Sequence, residues 1–374
     1  MSGKIWRNVT GYTRLFAHFC TLHTMTTSSP AAGARLLSNG RFTTMITASG
    51  SGYSDLADTA LTRWQGDPVE DGDACLVYLS DADTGQFWTL GARFAQAGAA
   101  YAAGSSDAGA WLSCTHLGIE ARMDVVVSVD DDFELRTVSL RNLSGRPRRI
   151  GVTSYLEVVL NARAAEASHP AFSKLFVQTE AAGDALLARR RPRGAGDASV
   201  WMVHAVHGGA GAQFETDRKR FIGRGASLAE PLAMTSGAPL SGTAGNVLDP
   251  AMSLRRSVAL AAGESAAITF LLGAAPERDA ALAMARHAGD AAQITVRAAA
   301  HHRQLLERLD ISAARAAYFE ELAVAMLYGD TSLRADVQSR GTGSTGILGA
   351  FKIATSHALC AVTASGPGDA NVTA

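Results

Sequence analysis

The stretch "IEARMDVVVSVDDDFELRTVSLRNLSGRPRRIGVTSYLEVVL", residues 119–160, runs for most of its length with a period of two. Ile119, Met123, Val125 and Val127 fall on one face of an extended chain, with Glu120, Arg122 and Asp124 on the other. That alternation is the mark of a half-buried strand. Asp130 to Asp132 turn the chain, and a second run carries Phe133 and Leu135 on one face but Val138 and Leu140 on the opposite one. A bulge, or a strand buried on both sides, accounts for the switch. After the polar turn around Pro147, a third run points Ile150, Val152, Leu156, Val158 and Leu160 inward. Three strands joined by tight polar turns predict an antiparallel meander.

Working outward, period two dominates from Leu36 to Gly273, and the runs on either side of Gly263 repeat the device. The expected fold is mainly β, a large antiparallel sandwich of two packed sheets. At Pro276 the period changes: Pro followed by acidic residues suits a helix start, with a break near Gly289. A second helix is expected from Ser312 as N-cap to Gly329, with Phe319, Leu322, Ala323, Met326 and Leu327 forming one apolar stripe. This predicts an extension at 1–33, a sandwich at 34–275, a helical linker at 276–330 and a tail at 331–374 without a sustained period.

A formal charge of −1 gives no broad field, which argues against nucleic acid or an acidic membrane as partner. The basic run Arg189 to Arg193 reads as a solvated turn. Four scattered cysteines, Cys20, Cys75, Cys114 and Cys360, form no metal-binding spacing, so free thiols, a reducing compartment and a cytoplasmic location are expected, with no metal or cofactor. No apolar run approaches the ~20 residues of a membrane span. The N-terminal segment carries Arg7, Arg14 and His18, which break a signal-peptide core.

Catalytic signals are weak. "GTGSTG" (341–346) mimics a nucleophile elbow or phosphate loop without either context. His301 and His302 are adjacent on a helix and point apart, and His204 and His207 have no evident third ligand. Asp130, Asp131 and Asp132, like Asp81 and Asp83, read as exposed turns rather than the paired carboxylates of glycoside hydrolysis. What remains is a binding constellation: Tyr53, Trp64, Trp88 and Trp111 near Gly or Asp turns, with Arg41 and Arg63 alongside. Flat rings with planar polar groups suit the apolar C–H faces and hydroxyls of a sugar. The same tryptophans also suit a sandwich core, and composition favours that. Ahead of Tyr53, Gly50 and Gly52 strip the backbone of side chains, as if for the close approach of a ligand or another domain.

In order along the chain, "LLSNGRFTTMITASGSGYS", "TALTRWQGDP", "VYLSDADTGQFWT", "SHPAFSKLFVQTE", "FETDRKRFIGRG" and "LSGTAGNVLDPAMSLRRSVALAAGESAAITFLLG" resemble successive blocks of one module. It is the carbohydrate-phosphorylase-like module of cyclic β-1,2-glucan synthases (glycosyltransferase family 36, now glycoside hydrolase family 94), and the likeness runs from about Leu36 to Asp336. The resemblance implies a galactose-mutarotase-like supersandwich, a helical linker and then an (α/α)6 barrel that carries the general acid. Where the family resumes, this chain has "GSTGILGAFKIATSHA", keeping Gly346 but with Leu348 at the Trp position. The resemblance thus implies a fragment lacking the barrel, with a β-glucan oligosaccharide as ligand and a separate barrel or a second copy as partner. The Gly-rich loop before Tyr53 resembles one that lies towards that barrel, which makes Tyr53, Arg63 and Trp64 candidates for binding carbohydrate or facing the barrel. Trp111 is expected in the core.

Overall fold

The computed structural model describes residues 34–67, 73, 75–192, 194 and 200–328. The expected extension at 1–33, the tail at 331–374 and the Gly329 helix end lie outside the described residues.

Along the chain come β1 (Arg35–Ser38), β2 (Phe42–Ile46), β3 (Gly52–Leu56), β4 (Thr59–Thr62), β5 (Leu76–Asp81) and β6 (Phe87–Thr89). Then follow β7 (Ala100–Ser106), β8 (Gly109–His116), β9 (Ile119–Val127), β10 (Phe133–Asn142) and β11 (Arg148–Asn161). Two short helices, α1 (Arg163–Ser168) and α2 (Pro170–Lys174), precede β12 (Val177–Ala182), β13 (Ala185–Arg190), β14 (Trp201–His207) and β15 (Ala210–Asp217). After α3 (Arg218–Ile222) and α4 (Leu232–Thr235) come β16 (Pro250–Leu260) and β17 (Ser265–Ala275), and the helices α5 (Arg278–Met284), α6 (Ala291–Leu309) and α7 (Ala313–Leu327) close the described chain.

Among the described residues the strands form two antiparallel sheets. One has nine strands, in the order β1-β2-β3-β4-β11-β16-β15, with β5 also paired to β11 and β6 paired to β5; the other has eight, in the order β12-β13-β14-β17-β10-β9-β8-β7. The core between them is hydrocarbon from both, including Phe42, Leu61, Leu79, Met123, Val138, Val152, Leu156 and Phe270.

The expected meander holds only for its first pair. β9 and β10 pair continuously, but β11 lies in the other sheet, so the turn around Pro147 is a corner between sheets. The Gly263 turn is a second such corner, since β16 and β17 also lie in different sheets. Asn142 ties the two corners together, its amide donating to the carbonyls of Arg146 (2.8 Å), Leu260 (3.1 Å) and Ala261 (3.0 Å). A side chain that satisfies three carbonyls lets both chains leave their sheets without orphaned acceptors.

β10 resolves its own ambiguity. Its register with β9 and β17 is unbroken, so the strand is buried on both sides rather than bulged. Phe133 and Leu135 face outward beneath α5 and α6, while Val138 and Leu140 face the intersheet core. The apparent change of face arises because the inward positions at the start of the strand are polar: Glu134 and Arg136, both buried. Glu134 accepts from Arg136 Nε (2.7 Å) and Ser54 Oγ (3.0 Å), and Arg136 donates to the Cys75 carbonyl (3.0 Å). Nearby, His204 bonds Ser154 Oγ (2.7 Å) and the Leu271 carbonyl (3.0 Å), and burial holds it neutral, with its pKa lowered to about 4. Because the carbonyl can only accept, Nδ1 carries the proton and Nε2 accepts from Ser154.

Helices cover the outer faces. α5 and α6 seal Phe133, Leu135 and Leu271 with Ala281, Met284, Ile294 and Ala298. α3 and α4 close over Tyr78 and Tyr155 with Phe221 and Met234. Ser312 caps α7 as expected, its hydroxyl accepting from Arg315 N. The expected stripe on α7 is not the packed one: Val324 is buried among Ala34, Met45 and Tyr53, whereas Met326 and Leu327 are exposed. Glu320 selects this face by accepting from Leu36 N (2.7 Å) and pairing with Arg35 (3.2 Å).

Candidate functional site

The outer face of the nine-stranded sheet gathers a cluster of aromatic and charged side chains. β3 presents Tyr53 and Asp55 outward because Ser54 and Leu56 point into the sandwich. The segment after β4 adds Arg63 and Trp64, β11 adds Tyr155 and Glu157, and α1 brings Arg163 and Glu166. β11 loses its register between Val158 and Asn161, and Leu160 sits there at a φ of 52°, a bulge that swings α1 over the sheet.

One half of the cluster is aromatic. The Tyr53 and Trp64 rings lie 4.9 Å apart, and Tyr328, just past α7, meets Trp64 edge-on at 5.5 Å. The Arg163 guanidinium lies 4.1 Å from the Tyr53 ring centre and 5.2 Å from that of Trp64. It also grips Asp55, with its Nη2 2.7 Å from both carboxylate oxygens and Nε 3.1 Å from one. Burial raises the Asp55 carboxyl above the usual range, and Arg163 offsets part of that rise. Burial likewise raises the Tyr53 hydroxyl.

The other half is ionic. Arg63 pairs with Glu157 (3.1 Å) and Glu166 (3.0 Å). Glu157 also accepts from Arg218 Nε (2.5 Å) and the Tyr155 hydroxyl (3.1 Å). Asp249 joins Arg218 (3.5 Å) and Lys174 (2.7 Å). Beside them Asp73, its carboxyl raised by burial, accepts from Gln65 N (2.6 Å). Asp55, Glu157 and Glu166 are each paired with an arginine. Around this network stand exposed apolar side chains, Phe172 at 57%, Leu175 at 51% and Leu248 at 79%.

Of the residues singled out from sequence, Tyr53, Arg63 and Trp64 do come together, but Tyr53 is buried and its ring is covered by Arg163, Trp64 and the Val324 side of α7. Arg41 lies elsewhere. It sits at the far end of β2, 71% exposed and paired with Asp132 at 2.6 Å. Trp88 is wholly buried between the sheets, edge-on to His116 at 5.5 Å, where no sugar can reach it. Trp111, expected in the core, is instead half-buried on the outer face of β8, against Gly104 and under Arg122 at 4.5 Å. Its neighbours Leu112 and Cys114 take the inward positions. Phe172, Glu157, Glu166 and Arg218 were not legible as site residues, since sequence alone does not show that α1, α2 and α3 converge.

The Gly-rich turn before Tyr53 serves the chain itself. Gly50, Ser51 and Gly52 are buried. Gly52 has a φ of 146°, and a Cβ there would lie 1.8 Å from the Met45 carbonyl oxygen. Gly50 packs on Gly91 Cα, so two backbones meet where no side chain fits.

Cys75 and Cys114 are free and buried, with burial raising Cys75 to about 11. No group of side chains able to hold a metal occurs among the described residues, and no described helix is long and apolar enough to cross a membrane.

Residues 20–291 match the model of the glycosyl hydrolase 94 supersandwich domain. The chain belongs to that family. The match begins before the 34 expected for the sandwich and runs to the start of α6. Cyclic β-(1,2)-glucan synthase NdvB of Rhizobium meliloti is 37% identical over 318 residues, an alignment covering 82% of this chain and 11% of the relative. The chain thus spans about a ninth of that relative's length. Among solved structures, a bacterial glucoamylase complexed with acarbose aligns with 75% of this chain and 38% of its own at a TM-score of 0.51 and 9% identity, a likeness of fold. A galactose-mutarotase-related enzyme from Lactobacillus acidophilus aligns with 65% of this chain and 97% of its own, at a TM-score of 0.34 and 11% identity. The glycosyl hydrolase 94 supersandwich seen here is therefore similar to one segment of a cyclic β-glucan synthase.

Proposed function

We propose that this supersandwich is a carbohydrate-binding module without catalysis of its own, serving a glucan-processing transferase or phosphorylase whose reactive carboxyl belongs to another portion. The observation that carries the reading is the continuous match to a segment of a cyclic β-(1,2)-glucan synthase. It is supported by a site in which Asp55, Glu157 and Glu166 each pair with a guanidinium. Calorimetric titration of the whole chain with short β-1,2-glucooligosaccharides tests it: saturable heat is expected, and none with any glucan ends the reading.

A second reading, assembly, is favoured by the apolar rim. Phe172, Leu175 and Leu248 beside the ionic network, and Tyr318 and Met326 on α7, are exposed on the outer side of the same sheet. Such surface suits docking of a catalytic barrel or a second copy. Sedimentation of the purified chain as a single monomer that binds no hydrophobic dye would count against it.

A further inference from the structure

Apart from the Trp64 cluster lies an open depression of about 450 Å³, between the β1–β2 turn, the β9–β10 turn and the start of α5. Its volume is that of a small-ligand cleft, for which about 300–1,000 Å³ is usual. We propose that this depression is a binding site for a short segment of neutral glucan. The ligand class rests on the carbohydrate-binding reading above; the location does not.

Three features carry the proposal. First, the depression is prebuilt. Asn39 donates to the carbonyls of Ser128 (3.0 Å) and Asp131 (3.0 Å) and accepts from the backbone N–H groups of Arg41 (3.0 Å) and Phe42 (2.8 Å). Ala274 N donates to the Asp132 carbonyl (3.1 Å), fixing the third wall. Walls held this way lose little freedom when a ligand arrives.

Second, the lining is of two kinds. Val129, Ala275, Pro276 and Met284 supply an apolar part, while Asp131, Arg286 and His287 supply planar hydrogen-bonding groups. The His287 ring is held flat against Phe133, 5.5 Å away and within 9° of parallel. Sugars present this same combination, C–H faces with hydroxyls at the edge.

Third, the charges select a neutral guest. Asp132 is neutralised by Arg41 and Asp130 by Arg297. His287 Nδ1 is bonded to Asp290 (3.2 Å) and Arg286 Nε donates to the Ala283 carbonyl (3.2 Å), which leaves the Asp131 carboxylate as an acceptor and the outer nitrogens of Arg286 as donors, one group of each sign, lining the same space. A phosphate would meet Asp131 and a cation would meet Arg286, and the carboxylates form no metal-holding group among the described residues. A hydroxylated, uncharged ligand satisfies both.

The test uses the full chain titrated with short linear β-1,2-glucooligosaccharides, comparing wild type with Ala280→Trp and Asp131→Ala. Both positions line the depression and are exposed, so the variants are expected to melt as the wild type does. Ala280→Trp fills the space and should abolish saturable heat; Asp131→Ala removes a charged acceptor and should weaken binding roughly tenfold. In amide correlation spectra, the shifts caused by ligand should centre on residues 39–41, 129–132 and 283–287. Wild-type binding that survives in both variants overturns this site and leaves the carbohydrate-binding reading intact. Absence of wild-type binding overturns both.

Discussion

Over the eight-stranded sheet, Ala281, Met284, Ile294 and Ala298 lie on Phe133, Leu135 and Leu271, hydrocarbon against hydrocarbon. Over the β3–β4–β11 part of the nine-stranded sheet, the cover is made instead of Tyr53, Trp64 and Tyr328, with Arg163, Arg63 and Arg218 bound to Asp55, Glu157, Glu166 and Asp249. An apolar seal stabilises in proportion to area, at about 25 cal/mol per Å², and tolerates sliding. Ion pairs at partly buried positions recover little beyond their desolvation cost, but they fix geometry. The first face therefore reads as a lid that holds the fold together. The second reads as a surface whose shape is fixed by directional pairs.

The largest effect should come from the core that both faces protect. Trp88→Ala should cost about 3–5 kcal/mol in chemical denaturation, as for other buried large-to-small changes. Trp64→Ala, on the outer cover, should cost clearly less while speeding amide exchange in residues 313–327, because α7 leans on that ring through Tyr328. Equal losses with no local change in exchange would erase the contrast.

Next comes a pH effect from the seam inside the sandwich. His204 is held at about 4, against 6.5 for the free side chain. Below pH 6.5 the unfolded chain takes up a proton that the folded chain refuses, so stability falls as pH drops from about 6.5 to about 4 and is unaffected by this group above that window. The whole loss is about 3 kcal/mol. Denaturation midpoints across the window should follow that slope in the wild type and flatten in His204→Gln.

On the ionic side, Arg163→Ala leaves Asp55 partly buried without its partner and should cost about 1–3 kcal/mol. Arg163→Lys should recover only part of this, since an ammonium cannot stack on Tyr53 and grip both carboxylate oxygens at once. Full recovery by lysine would mean that charge alone matters there. The smallest effect on folding is expected at the rim. Phe172→Ala should change stability by no more than about 0.5 kcal/mol. If that rim is a docking surface, the same change should reduce self-association or dye binding.

The class of fold was legible because period two persists over most of the chain and breaks at Pro276, just before the helices begin. The corners were not, because a turn between sheets and a hairpin turn use the same residues; only Asn142 marks them, and its three carbonyl partners lie 4, 118 and 119 residues away. Half of the candidate site was visible as Tyr53, Arg63 and Trp64. Their partners Glu157, Arg163 and Arg218 belong to β11, α1 and α3, and pairing across such distances leaves no periodic trace. The packed face of α7 was misjudged for a related reason. Its apolar stripe is broader than the sheet can cover, and the choice between faces falls to Glu320, a polar residue that meets Leu36 and Arg35.

The central claim is that this sandwich handles glucan without performing the chemistry. The most direct measurement incubates the purified chain with β-1,2-glucooligosaccharides, with and without inorganic phosphate, and follows phosphate, glucose 1-phosphate and new reducing ends. No turnover above a protein-free control is predicted. Turnover that vanishes in Glu157→Gln or Asp131→Ala would contradict the account, since the reactive carboxyl would then lie within these strands.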